Sequence, residues 1–295
     1  MNISPISGVP GIANFQSQVL NSLMGSAFDF GSVLSAVTNL LPASSGVSTD
    51  PLPWITNKNS VKGISLTGRN MALNDPESAY NMMTIINNKD VHFKAQFSEL
   101  SQMKLFISHM QEAGEGLNSI TATTGNEDMK SRLQGFVDQY NSWVQRFNPE
   151  VQNGGLLADT QAARVALYEL DQSVEYSYNG AKDGMHGLSD VGITINHSTG
   201  LASLDTAKLD AMLATNWQGV VDTVQEFSAN FAKSASLLNS DGNFMPRQLD
   251  NLNRAIHYIA DNETSLRAEF GTGNAAQPTG QVAQALAAYN KSYGI

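Results

Sequence analysis

Cysteine is absent from the 295 residues. Disulfides, thiolate metal sites and cysteine nucleophiles are therefore excluded. Positive charge is scarce as well. Lys and Arg number 17 against 27 Asp and Glu, a formal charge of -10. A nucleic-acid binder needs a basic surface to neutralise phosphates, and an anionic membrane surface asks for the same. Neither partner fits. No stretch reaches the roughly 20 consecutive apolar residues of a membrane-spanning helix, so no membrane insertion is expected. The first basic residue is Lys58. A Sec-type signal opens on basic residues, so export without a cleaved Sec signal is the expectation.

The motifs of common chemistries are missing too. There is no P-loop and no Gly-x-Ser-x-Gly elbow. A dinucleotide fingerprint needs a strand ahead of its glycines, whereas Gly114 and Gly116 follow a predicted helix. The 5 histidines, His92, His109, His186, His197 and His257, show no metal-ligand spacing. No pair of carboxylates sits at hydrolase spacing. The sequence therefore points to no enzyme, no cofactor and no metal. A site assembled from distant residues would escape this reading and stays open.

What is present is helix. Apolar residues make up 41% of the chain, enough for a sizeable core. Residues 1–75 are rich in Ser, Gly, Asn and Ala, with prolines at 5, 10, 42, 51 and 53. They read as a flexible or small helical N-terminal leader, with short helix candidates at 15–23 and 33–41. Asp75-Pro76 has the form of an N-cap followed by proline at the first helical position. A helix is predicted from there to Leu117, with possible breaks at Asn87-Asn88 and at 114–116. Phe93, Phe97, Leu100, Met103, Ile107 and Met110 recur at helical steps along it.

A second helix is predicted over 126–147, with a Thr124/Glu127 capping box and Pro149 as its stop. A third begins at Asp159. The glycine-bearing stretch 178–187 reads as an exposed loop. Alternation at Val191, Ile193 and Ile195, a turn at 197–200 and a return over 201–204 predict a β-hairpin. Asp205 then caps a short helix, and another runs from about 216 to 238. The last strong helix is expected over 246–270. Leu249, Leu252, Ile256, Ile259, Glu263, Leu266 and Phe270 alternate steps of three and four there, a heptad seam broken by Glu263.

The fold class expected is mainly α: an elongated antiparallel helical bundle or coiled coil with a small β-hairpin. Residues 76–270 form its rod and body, with the hairpin near 191–204. Residues 271–295 are expected to be a flexible C-terminal tail, with one small helix at 282–289. The stripes at 93–117 and 249–270 are expected to pair antiparallel. Two ordinary core helices of one bundle explain the same periodicity. Candidate rod and assembly residues are Phe93, Phe97, Leu100, Ile107, Leu249, Leu252, Ile256, Ile259 and Leu266.

Several segments resemble a known family. The run 188–194, Leu-Ser-Asp-Val-Gly-Ile-Thr, and the run 199–216, opening Thr-Gly-Leu-Ala-Ser-Leu-Asp, resemble the hairpin and following helix of the bacterial flagellar filament cap family, flagellar hook-associated protein 2. Phe136-Val137-Asp138-Gln139-Tyr140-Asn141 resembles the helix after that family's outer domains. Leu156-Leu157-Ala158-Asp159 resembles its approach to the next helix. Residues 93–100 and the turn Asp241-Gly242 with 249–270 resemble its N- and C-terminal coils. The similarity runs over roughly 76–270 in the family's order. The inserted outer domains are missing, since only a short bridge, 121–129, stands where they belong.

The resemblance implies a structural assembly protein that promotes flagellin polymerisation at the filament tip. It implies self-association into a ring, contact with flagellin and hook-filament junction proteins, and an extracellular place on the bacterial flagellum. A helical stalk or adhesin, or another secreted filament-associated protein, is the alternative.

Overall fold

The computed structural model describes residues 76–177 and 184–294. The leader 1–75, its two helix candidates, the Asp75 cap and most of the 178–187 loop lie outside the described residues.

Helix α1, Pro76–Leu117, is one unbroken helix of 42 residues. At about 1.5 Å per residue it is roughly 63 Å long. Neither expected weak point breaks it. Asn88 turns its amide back to Thr84 O at 2.9 Å, and Asn87 sends its amide away to Thr272 O at 3.0 Å. The side chains thus leave the main-chain ladder intact.

Helix α2, Asn126–Val151, starts without the expected capping box. Gly125 is its N-cap. Thr124 Oγ1 is already taken by Thr121 N at 2.9 Å, and Glu127 pairs with Lys130 at 3.1 Å. Pro149 does not end it, because the helix continues to Val151. A proline in the last turn removes only one ladder bond. Helix α3, Gln161–Glu175, is preceded by Thr160 at the cap position, one residue beyond the expected Asp159.

The hairpin forms as its alternation predicts. Strands β1, Ile193–Asn196, and β2, Leu201–Leu204, pair antiparallel, with Ile193 opposite Leu204 and Asn196 opposite Leu201. Gly192 precedes β1 at φ 99°. A Cβ there would sit 2.7 Å from Asp205 O. Both constraints favour glycine. Helix α4, Thr206–Thr215, is capped by Asp205, which accepts from Lys208 N at 3.0 Å. Helix α5, Trp217–Asn239, is capped by Asn216, which accepts from Gly219 N at 3.0 Å.

The seam expected over 246–270 is two helices. Helix α6, Phe244–Asp261, ends at Asn262, and helix α7, Glu263–Phe270, follows. At Asn262 the backbone leaves helical geometry, with φ -102° and ψ 8°. Glu263 therefore opens a new helix and is not a polar residue within a seam. Helix α8, Gly280–Tyr293, closes the described chain.

One apolar cluster runs through the body. It contains Leu100, Met103, Ile107 and Met110 of α1 with Phe136, Trp143 and Phe147 of α2, Leu170 of α3, Phe227 and Phe231 of α5, and Leu249 and Leu252 of α6. Full burial of such a side chain is worth about 1.5–3 kcal/mol as an upper figure. Helix α5 lies antiparallel on α1: Ser228 Oγ donates to Gly114 O at 2.7 Å, and Asn239 Nδ2 donates to Lys104 O at 3.0 Å. Gly114 permits the close crossing, since a Cβ there would meet Phe231 Cδ1 at 2.7 Å. Helix α6 packs on α3 and α5. The two apolar stripes thus share α5 as a partner within one core. The stripe on α6 stops at Asn262, and α1 is the longer helix.

Candidate assembly site

The nine candidate assembly residues divide by burial. Leu100, Ile107, Leu249, Leu252 and Ile256 are buried within their own chain. The structure brings Leu100, Ile107, Leu249 and Leu252 into one core and packs Phe93 and Phe97 against its edge. Ile259 and Leu266 are half-buried, on α6 and α7. Helix α7 buries no residue and packs on α6. Among the candidates, only Phe93, Phe97, Ile259 and Leu266 keep surface that another molecule could touch in this conformation.

Polar residues hold the long helix in register with α2, and periodicity gave no hint of them. Glu99 of α1 and Glu150 of α2 are 4% and 7% exposed. Arg146 of α2 reaches both. It forms an ion pair with Glu99 through Nη2, and its Nη1 lies 3.5 Å from Glu150 Oε1. Its guanidinium also sits 4.9 Å from the centre of the Phe147 ring. Two buried acids share one arginine. Burial, aided by Glu150, raises the pKa of Glu99 against the opposing pull of Arg146. The signal that could have found it is the 146/150 spacing on α2, one helical turn. Its third member comes from a distant segment and was invisible.

A second polar contact joins α2 to the hairpin. Asn141 Nδ2 donates to Ala202 O at 2.9 Å, and its Oδ1 accepts from Ala202 N at 2.7 Å. The side-chain amide thus acts as a short third strand on β2. Nearby, Tyr140 Oη donates to Asp171 at 2.9 Å, tying α2 to α3. Burial and that carboxylate together raise the tyrosine's pKa.

Nothing in this arrangement resembles a reaction centre. Among the described residues no group of three or more His, Asp or Glu could hold a metal ion. No helix among them is long and apolar enough to cross a membrane.

Residues 98–276 match the family described as flagellar hook-associated protein 2 C-terminus. The chain belongs to this family. The match takes in the latter part of α1 and everything through α7, with the Glu99–Arg146 pair and the Asn141–Ala202 contact inside it. Membership places the chain among flagellar structural proteins. In this chain α1 passes to α2 through residues 118–125 alone, with no inserted domain between them.

No curated protein matches. Among solved structures, the crystal structure of the flagellar cap protein FliD D1-D2-D3 domains from Escherichia coli is similar. It shares 20% identity and a TM-score of 0.39, covering 44% of this chain and 37% of that one. The chain thus spans little more than a third of that structure's length. At this score the two share too little superposable structure for one to instruct the other.

Proposed function

We propose that the protein is a short form of the flagellar filament cap, a ring of identical copies at the filament tip beneath which flagellin subunits are added. The observation that carries this reading is the family match over 98–276, which falls on one continuous core and not on scattered pieces. Flagellin and the hook-filament junction proteins are its partners on this reading, and the extracellular flagellum is its place. Assembly uses residues that the body leaves accessible, Ile259 and Leu266 foremost, with the leader 1–75 and the rod supplying the rest. The task is mechanical: apolar surface is buried between subunits, and no covalent step is needed.

Deletion of the gene tests this directly. Cells lacking the protein should release unpolymerised flagellin into the medium and carry no full-length filaments. Filaments of normal length and number in the deletion strain would refute the cap reading. Family membership favours this reading over a stalk adhesin.

A further inference from the structure

The C-terminal segment is attached differently from the rest of the body. Residues 271–279 carry no regular structure and link α7 to α8. Two glycines in the link are left-handed, Gly271 at φ 78° and Gly273 at φ 59°. Gly273 lies flat on α1, where a Cβ would be 2.5 Å from Thr84 N. The link is fastened by polar contacts in water. Tyr80 Oη donates to Asn274 Oδ1 at 2.6 Å, and Asn87 Nδ2 donates to Asn274 O at 2.8 Å. Asn274 N in turn donates to Thr84 Oγ1 at 2.8 Å.

Helix α8 then lies on the next turns of α1. Ala285 packs with Ala95 and Leu156 in a small apolar cluster, separate from the main core. Tyr289 and Tyr293 stack at 4.6 Å, and both meet Phe97 edge-on, at 6.1 and 6.0 Å. The main core therefore closes without this segment. The segment's anchors are exposed hydrogen bonds, the buried Ala285 and the Tyr289–Tyr293 stack on Phe97, and its link bends at glycines.

We propose that residues 271–293 are an exchangeable strap, which docks on 80–97 of its own chain or on the same residues of a second copy. Every anchor named above is a contact between the strap and residues 80–97 or Leu156. A second copy presents the identical surface. The link, at about 3.3–3.6 Å per residue, reaches roughly 30 Å when extended, enough to cross to a neighbour. Exchange of an identical element joins copies with no new interface, and passing it to the next copy instead of back extends a ring or row. This inference does not rest on the cap reading.

The absence of cysteine makes the test clean. Ala95→Cys and Ala285→Cys are made as separate full-length proteins carrying tags of different size, then mixed and oxidised. A disulfide joining the two different chains is expected, in a yield that rises with concentration. The Ala95→Cys/Ala285→Cys double variant should close within one chain at low concentration. Gly273→Ala should lower both the closed and the mixed product, since its Cβ would meet Thr84 N in either docking. The proposal is overturned if the double variant closes but the mixture yields no mixed disulfide. It is overturned equally if the double variant fails to close, since the docking itself would then be wrong.

Discussion

Asn141 holds both main-chain polar groups of Ala202, donating to its carbonyl at 2.9 Å and accepting from its N–H at 2.7 Å. A two-stranded hairpin is marginal by itself, and one edge of β2 would otherwise stand open. The amide of α2 closes that edge where the hairpin meets the body. The hairpin and the helix ahead of it, two segments of the family match, are thus coupled through one side chain.

Asn141→Ala should therefore cost about 2–3 kcal/mol, since it leaves a half-buried N–H and C=O unpaired. Urea unfolding measures the loss, and amide exchange should rise first at 201–204. Ser142→Ala removes a bond only to the preceding turn, at Asp138 O, and should change neither. Equal effects of the two substitutions would contradict the role given to Asn141.

Arg146→Met should destabilise the protein by about 3 kcal/mol at neutral pH. It strands two buried carboxylates, and removing one partner of a buried ion pair costs about 3–5 kcal/mol. The lower end applies because the arginine side chain is 35% exposed. Adding Glu99→Gln to that variant should recover part of the loss. No recovery would show that packing of the Arg146 stem on Phe147, and not charge, dominates.

Glu99 makes stability depend on pH in a definite direction. Its folded pKa is raised by burial, so the native chain keeps a proton at pH values where the unfolded chain has lost it. Stability from this group is present below the ordinary glutamate range and is lost as pH rises through the raised folded value. Mild acidification from neutrality should thus stabilise the wild type through Glu99. Glu99→Gln should lack this component. Urea midpoints for both proteins, taken between neutrality and mild acid, give the comparison, and parallel profiles would count against it.

The apolar candidates should separate into folding and assembly residues. Leu252→Asp places a charge in the core and should abolish the cooperative unfolding transition. Ile259→Asp and Leu266→Asp alter half-buried positions on α6 and α7. They should keep the circular dichroism of the wild type and reduce the mass of the assembled particle. If Leu266→Asp assembles normally, α7 is not part of the contact between copies.

Local signals were enough for much of the fold. The long helix follows from its apolar steps and its proline at the first helical position, and the hairpin follows from alternation and turn residues. Asp205 and Asn216 were legible as boundaries because short polar side chains at helix starts find free N–H groups nearby. Thr124 had the same form and failed, because its oxygen was already used by Thr121 N. The seam through 263 failed for a different reason. A heptad count registers apolar spacing and takes no account of where the backbone leaves helical geometry, as it does at Asn262.

The chain by itself determined the helices, the hairpin, the family and the absence of thiol chemistry, since each rests on neighbours a few residues apart or on motifs kept in order. Only the tertiary structure decided what those helices bury. It placed α5 as the common partner of both apolar stripes, brought Glu99 to Arg146, set Asn141 on the hairpin edge and laid α8 along α1. Apolar periodicity says that a face must be covered but not by what, because burial of apolar surface has no direction. The choice among partners falls to close approaches such as Gly114 on Phe231, and to polar groups that must find a mate once water has left.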